Sequence, residues 1–175
     1  MKNLRIKKTI SLTSIAAIAI AALSSFISFN TQRSQKEVVA RLHHVGLSVN
    51  DLNKIKKWYS DNFALVEEQN FEMKEPKVRT VILMAKNGFR IELIELKGSK
   101  REREFTDPLN ACTVQGYGHL AIEVNNLDEA FGNLTAGGAK IVSKPSPAVQ
   151  KGAFFAYVSD PEGNLIELIQ SPKIK

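Results

Sequence analysis

The sequence predicts an α+β domain made of two copies of one β-α-β-β-β module. The first observation is an internal repeat, because the segment Gly118–Asn125 (GHLAIEVN) repeats the pattern of His43–Asn50 (HHVGLSVN). The same offset along the chain carries Gly88–Ile94 (GFRIELI) onto Gly163–Ile169 (GNLIELI). The second observation is apolar alternation with period two in these segments, which is typical of strands. Two equivalent supersecondary units are therefore expected.

The first module is assigned to residues 41–96. Its first strand begins near His44, and Asn50-Asp51 is expected to cap the following helix. The buried stripe of that helix is predicted to contain Leu52, Ile55, Trp58 and Tyr59. Three strands are predicted to complete the module, at Leu65–Met73, Lys77–Ala85 and Phe89–Leu96. Asn87-Gly88 supplies a strong turn signal before the last of them.

The second module is assigned to residues 116–171 and repeats this order. A strand at Gly118–Val124 precedes a helix at Leu127–Ala136, which Gly137-Gly138 is expected to end. Three strands are predicted to follow, at Lys140–Ser143, Ala153–Val158 and Asn164–Gln170, with residues 144–152 as a loop. Lys97–Gln115 is the connection between the modules. Its charge run, Lys97–Glu104, interleaves positive and negative charges, which favours a solvated loop over a binding patch.

The N-terminal segment, residues 1–30, is not expected to belong to this domain. A cationic start precedes an apolar run from Ile10 to Leu23, which is the layout of a secretory signal peptide. Because the apolar stretch extends to Phe29, an uncleaved N-terminal membrane anchor is the alternative. Residues 31–40 form a polar linker. Either alternative predicts export to the periplasm or another extracytoplasmic space, either in soluble form or held at the membrane through this segment.

The basic charge of the whole chain does not indicate a nucleic-acid partner. Four of the 24 basic residues lie between positions 1 and 30, where there is no acidic residue, so the remaining chain carries a net charge of +2. Cys112 is the only cysteine, which excludes an intramolecular disulfide. We expect a buried, unreactive thiol there rather than a catalytic one.

Two histidines and two glutamates stand at matching positions of the repeat. His44 precedes Glu92 by the same interval that separates His119 from Glu167. Each glutamate lies in a largely apolar strand that reads as covered on both faces. A bare carboxylate there is costly, so the explanations are an internal ion pair, a glutamate that touches solvent at a strand end, or metal binding. The repeat favours metal binding, and two imidazoles with two carboxylates suit one divalent transition metal, with positions left for substrate.

The paired modules, with YGHLAIEVNNL and DPEGNLIELI, resemble the vicinal oxygen chelate (VOC) superfamily, the group of glyoxalase I, bleomycin-resistance proteins and dioxygenases. The resemblance covers residues 41–171 and implies one cupped, eight-stranded mixed sheet with the helices outside and the metal held inside. It implies that His44, Glu92, His119 and Glu167 are ligands of one divalent metal ion, which would be Ni, Co, Zn, Fe or Mn. In this superfamily the four ligands come from one chain or from two chains of a homodimer.

The resemblance to glyoxalase I implies a lyase or isomerase acting on a small oxygen-chelating substrate through an enediolate. Glu167 would move the proton, with Glu92 as its pseudo-symmetric partner. Arg90 is expected on the same strand face as Glu92, where it would either hold a substrate anion or pair with Glu92. The alternatives are a non-catalytic envelope protein that binds a small ligand or metal, and an iron-dependent dioxygenase.

Two departures from glyoxalase I concern glutathione. The resemblance places an arginine that grips glutathione four residues after the first histidine, where this chain has Ser48. It places an asparagine four residues after the first glutamate, where this chain has Leu96. We therefore expect poor use of glutathione adducts.

Overall fold

The computed structural model describes residues 38–172, whose eight strands form two four-stranded mixed sheets. The first module contains β1 (Val45–Val49), α1 (Leu52–Phe63), β2 (Val66–Met73), β3 (Val78–Met84) and β4 (Arg90–Leu96). The second contains β5 (Leu120–Glu123), α3 (Leu127–Ala136), β6 (Lys140–Pro147), β7 (Phe154–Ser159) and β8 (Leu165–Gln170). A four-residue helix, α2 (Pro108–Ala111), lies in the connection. This confirms the predicted α+β class and the repeated element order.

Both sheets have the same topology. The strand orders are β1-β4-β3-β2 and β5-β8-β7-β6, so the first strand of each module pairs with its last. The pairs β1–β4 and β5–β8 are parallel, while the other pairings are antiparallel. A parallel pair needs a long crossover, which α1 and the two intervening strands provide in the first module. The repeat therefore places equivalent residues of the two modules in equivalent pairings.

The helix starts confirm the capping prediction, and equivalent residues of the two modules cap the two helices. Asp51 caps α1 by accepting the backbone N–H of Lys54 at 3.0 Å. Asn126, the equivalent residue of the second module, caps α3 by accepting the N–H of Glu129 at 3.3 Å. These side chains satisfy donors that an α-helix leaves without an internal acceptor. The four predicted stripe residues of α1 are all buried.

The helix-facing sides of both sheets join in one hydrophobic core. Alternate residues of the last strands are almost fully buried in it, namely Ile91 and Leu93 in β4, and Ile166 and Leu168 in β8. Burial of each such side chain is worth about 1.5–3 kcal/mol. Because side chains alternate along a strand, Glu92 and Glu167 lie on the sheet faces that point away from this core.

Polar contacts also join the two modules. The Trp58 indole N–H donates to the backbone oxygen of Gly137 at 2.8 Å. The Glu162 carboxylate accepts the backbone N–H groups of Asn50 and Asp51 at 2.7 and 2.8 Å. These contacts pin the start of α1 to the β7–β8 turn and its middle to the end of α3.

The predicted boundary of β6 is wrong. This strand continues to Pro147, through part of the segment that the sequence assigned to a loop. Its pairing with β7 shifts after Ile141 and again after Ser143. Because β6 is an edge strand with these irregularities, its prolines need not donate to a neighbouring strand. The prolines in this segment led to the prediction of a loop, whereas the segment continues an edge strand.

The charge run at residues 97–104 is a mostly exposed loop, as predicted, whereas the part of the connection that follows it is packed on the second sheet. Phe105 and Ala111 pack against Tyr157 and Leu165 on the second sheet. The expectation of a buried thiol is also wrong, because Cys112, at the end of α2, is exposed. The local sequence pattern gave no sign of the two apolar contacts that Phe105 and Ala111 make.

The predicted leader, residues 1–30, lies outside the described residues, as does most of the linker 31–40. Across residues 38–172, no helix has the length and apolar character required to cross a bilayer. The compact unit that contains both sheets begins at Leu42.

Candidate metal centre

The four predicted ligands form two His–Glu pairs with the same geometry. His44 Nε2 lies 3.1 Å from Glu92 Oε2, and His119 Nε2 lies 3.1 Å from Glu167 Oε2. In the first module, Gly46 of β1 lies opposite Glu92 of β4, which brings the nearby His44 alongside the carboxylate. Ala121 lies opposite Glu167 in the same way. Because both modules share this parallel pairing, the equal His-to-Glu spacing in the sequence gives the two pairs the same geometry.

Both pairs lie on sheet faces that remain partly open. The side chains of Glu92 and Glu167 are 18% and 17% exposed, and those of His44 and His119 are 35% and 30% exposed. The expectation that these strands are covered on both faces is therefore wrong at the glutamates. The flanking apolar residues serve the core, whereas the carboxylates keep some contact with solvent. None of the four points into the helix-covered face.

The two pairs do not converge within one chain. Among residues 38–172, no group of three or more His, Cys, Asp or Glu side chains is arranged to hold a metal ion. His44 and His119 both line a cleft of about 420 Å³ between β1 and β5, but Glu92 and Glu167 do not line it. A single chain in this conformation therefore presents two halves of the predicted ligand set.

Each half fits the chemistry of a divalent transition metal. An imidazole nitrogen and a carboxylate oxygen bound at about 2.1 Å and at right angles would lie about 3 Å apart. The separation is 3.1 Å in both pairs. Glu92 and His44 can therefore serve as adjacent ligands with little rearrangement, and the same holds for Glu167 and His119. Two such halves would supply the N₂O₂ set that the sequence predicts.

The surroundings of the two glutamates differ. Tyr157 pairs with Glu167 across β7 and β8, and its ring meets the His119 ring edge-on, with centroids 5.4 Å apart. Burial, followed by interaction with the nearby Glu167 carboxylate, raises the pKa of Tyr157. Ile82 stands at the equivalent place opposite Glu92. The second pair therefore has a polar neighbour that the first lacks.

Arg90 is engaged in a contact that the sequence did not predict. Its guanidinium binds Glu68 through two hydrogen bonds, Nε to Oε2 at 2.7 Å and Nη2 to Oε1 at 2.8 Å. A bulge in β2 after Glu67 brings Glu68 to this position. Arg90 is therefore neither the partner of Glu92 nor a free anion binder. The bidentate contact with Arg90 lowers the pKa of Glu68, and this effect exceeds that of burial, which raises it.

Comparison with known proteins assigns the chain to a family. The model of the Glyoxalase/Bleomycin resistance protein/Dioxygenase superfamily matches residues 41–168. The chain is therefore a member of this superfamily, as the resemblance in its motifs predicted. The name of the superfamily covers proteins of several activities.

Among relatives, the chain is 28% identical over 131 residues to a probable lactoylglutathione lyase of Vibrio cholerae, covering 75% of this chain and 91% of that protein. It is 27% identical over 130 residues to lactoylglutathione lyase GLX1 of Arabidopsis thaliana, covering 74% of this chain. It spans only 44% of the length of the Arabidopsis protein.

Solved structures support the same fold. Glyoxalase I from Zea mays superposes with a TM-score of 0.61 at 25% identity, covering 76% of this chain and 45% of the maize chain. A glyoxalase family protein from Bacillus cereus superposes with a TM-score of 0.65 at 21% identity, covering 79% of this chain and 98% of that one.

Proposed function

We propose that this protein is a divalent-metal-dependent lyase or isomerase of the glyoxalase I type, acting on a small oxygen-chelating substrate. The observation that carries the proposal is the presence of two His–Glu pairs with equal 3.1 Å separations on partly open sheet faces. The similarity to lactoylglutathione lyases supports the reaction class. Ser48 and Leu96, which replace an arginine and an asparagine, argue against a glutathione adduct as the preferred substrate.

The complete site would form between two chains. One chain holds its pairs apart, whereas a twofold dimer would bring the His44–Glu92 pair of one chain to the His119–Glu167 pair of the other. The twofold axis would generate two identical sites in each dimer. All four side chains are accessible from the open faces of their sheets, which is what such a meeting requires.

The metal would supply Lewis-acid stabilisation to two adjacent oxygens of the substrate. Glu167 would accept a proton from one carbon and return it to its neighbour, because its carboxylate lies on the open face beside the site. Glu92 would be the second carboxylate at the same centre. His44 and His119 would hold the metal without taking part in proton transfer.

The shared site can be tested by subunit complementation with the variants His44→Ala and His119→Ala. Each alone should retain little metal, because every site loses one ligand. If the chains are mixed, unfolded and refolded together, half of the dimers should be mixed. Each mixed dimer has one intact site, so metal content should return to about a quarter of that of the wild type. Elemental analysis gives the readout.

The control is to combine His44→Ala with Glu92→Ala, since both changes fall in the same half. Each intact site needs a native first half from one of the chains, so this mixture should show no recovery. If neither mixture recovers metal while both single variants lose it, each site lies within one chain. If neither single variant loses metal, the proposed ligand set is wrong.

Catalysis can be separated from ligand binding at Glu167. Glu167→Gln keeps an oxygen donor but removes the proton-accepting carboxylate, so metal should be retained with weaker affinity. Turnover of a series of hemithioacetals should fall about 10²–10⁴-fold. His119→Ala should reduce metal and turnover together. Absence of turnover by metal-loaded wild-type protein, with ligand binding that follows metal occupancy, would identify a binding protein instead.

A further inference from the structure

The two His–Glu pairs have the same geometry, but the residues that surround their glutamates differ. The residue facing each glutamate from the neighbouring antiparallel strand is Ile82 in the first module and Tyr157 in the second. Ile82 offers only methyl and methylene groups to Glu92. Tyr157 is the cross-strand neighbour of Glu167, where it presents a ring that carries a hydroxyl group, and this ring meets the His119 ring edge-on.

The structure holds Tyr157 in place from several directions. The residue is only 7% exposed. Ala111 and Leu165 pack against it, and the Phe155 ring lies 5.9 Å away from its ring, centroid to centroid. The Tyr157 backbone N–H also donates to the Ser143 hydroxyl at 3.1 Å. A ring so constrained directs its hydroxyl with little freedom, and a buried phenol requires a polar partner.

We propose that Tyr157 is a positioning residue that fixes the Glu167 carboxylate, and that the His119–Glu167 pair is consequently the tighter half of the metal site. This inference rests on the proposed function. On this account the hydroxyl donates to the carboxylate of its cross-strand neighbour Glu167 and leaves the oxygen nearest His119 directed at the metal position. Partners that hydrogen-bond a ligand commonly raise metal affinity by restricting the orientations of that ligand. Glu92 lacks such a neighbour at the corresponding position and is held through His44.

The test is titration of metal-free protein with Co²⁺, using a chromophoric chelator as competitor. Tyr157→Phe removes only the hydroxyl group and should weaken Co²⁺ binding about 10-fold. Tyr59→Phe is the matched control, since its buried hydroxyl contacts Asp160 and not the ligands. It should leave Co²⁺ affinity unchanged. Ile82→Val, at the equivalent position in the first module, should also leave it unchanged.

A double-mutant cycle separates positioning from general damage. In the Glu167→Ala background, Tyr157→Phe should cause no further loss of Co²⁺ affinity, because the carboxylate that the hydroxyl holds is gone. Glu167→Ala should itself weaken binding more than Glu92→Ala. Equal losses from the hydroxyl deletion in both backgrounds would overturn the inference, because the hydroxyl would then act independently of Glu167.

The wild-type protein supplies a second readout that does not depend on folding of the variant. Co²⁺ binding should change the near-ultraviolet tyrosine difference spectrum, and this change should vanish in Glu167→Ala. A wild-type spectrum unchanged by bound Co²⁺ would contradict the contact. If Glu167→Ala weakens Co²⁺ binding but Tyr157→Phe does not, only the positioning role fails. If Glu167→Ala has no effect on Co²⁺ binding, the proposed function fails with it.

Discussion

Glu95 and Gln170, which are equivalent positions of the repeat, each accept a hydrogen bond from the first backbone N–H of a helix. Leu52 N donates to Glu95 Oε2 at 2.9 Å, and Leu127 N donates to Gln170 Oε1 at 2.7 Å. Both N–H groups are donors that helix geometry leaves without an internal acceptor. The last strand of each module therefore fastens the start of its own helix, with a carboxylate in the first module and an amide in the second.

Removal of the carboxylate should cost more stability than removal of the amide. Glu95→Ala should lower the free energy of unfolding by about 1–3 kcal/mol, and Gln170→Ala by about 1 kcal/mol. The reason is that Glu95 also binds Arg79, with Nη1 and Oε1 separated by 3.2 Å. Urea denaturation followed by circular dichroism measures both changes. Glu95→Gln is the control, since it keeps an acceptor, and a cost equal to that of Glu95→Ala would contradict this account.

Asp160 makes stability depend on pH. It is fully buried, and its Oδ1 accepts the backbone N–H groups of Glu162 and Asn164, each at 2.9 Å. Burial raises the pKa of Asp160 above its ordinary 3.8, although hydrogen bonds from Asn164 oppose the shift. The folded protein thus holds this proton more tightly than the unfolded chain. The resulting stability is present at acidic pH and is lost as pH rises through the folded-state pKa.

Asp160→Asn should therefore destabilise the protein more at about pH 4 than at about pH 7. The amide retains an oxygen for both backbone donors but cannot bind the extra proton. The measurement is the difference in unfolding free energy between variant and wild type across this range. Tyr59→Phe, which removes the neighbouring hydroxyl, is a control expected to show less pH dependence. A difference that grows with rising pH would show that the sign is wrong.

Substrate preference should change when two polar side chains are introduced at positions 48 and 96. Ser48 and Ile94 are partners in the β1–β4 pairing, and Leu96 follows at the half-exposed end of β4. Ser48→Arg combined with Leu96→Asn should raise kcat/KM for the methylglyoxal–glutathione hemithioacetal. The adduct of mercaptoethanol, which has no carboxylates, is the control and should not gain. Wild-type activity on the glutathione adduct that already matches an ordinary glyoxalase I would refute the expectation.

The N-terminal segment can be tested by intact mass. We expect export, with cleavage before Ser25 if residues 1–24 act as a signal peptide. The protein should be expressed with its full chain, and its intact mass should be measured by mass spectrometry in the soluble and membrane fractions separately. A mass corresponding to a Ser25 terminus supports cleavage, whereas an intact N-terminus in the membrane fraction supports an anchor. An intact chain confined to the cytoplasm would contradict both.

The repeat made most of the fold predictable from sequence. Local signals were sufficient where one residue type settles the geometry, as with Asp51 at a helix start. They failed at β6, because edge strands tolerate proline. They also gave no sign that Phe105 packs on the second sheet, because that role depends only on tertiary contact. The residues that Phe105 contacts there are distant in sequence.

The His–Glu pairing was predictable because the repeat matched both residues, but the separation of the pairs was not. Which face of one sheet meets another depends on tertiary packing, and the apolar runs around Glu92 suggested that both faces were covered. The engagement of Arg90 by Glu68 was hidden for a similar reason, since it depends on a bulge. Tyr157 could have been found by applying the offset of the repeat to Ile82.

The common core and the Glu162 contact have a consequence for the covalent link between the modules. Lys100, Arg101 and Arg103 expose several trypsin cleavage sites in that link. Since Trp58 and Glu162 join the modules independently of it, a chain nicked there should survive as a two-fragment protein. The two fragments would then separate only on unfolding. The cleaved protein would be a noncovalent heterodimer in which each module is one subunit.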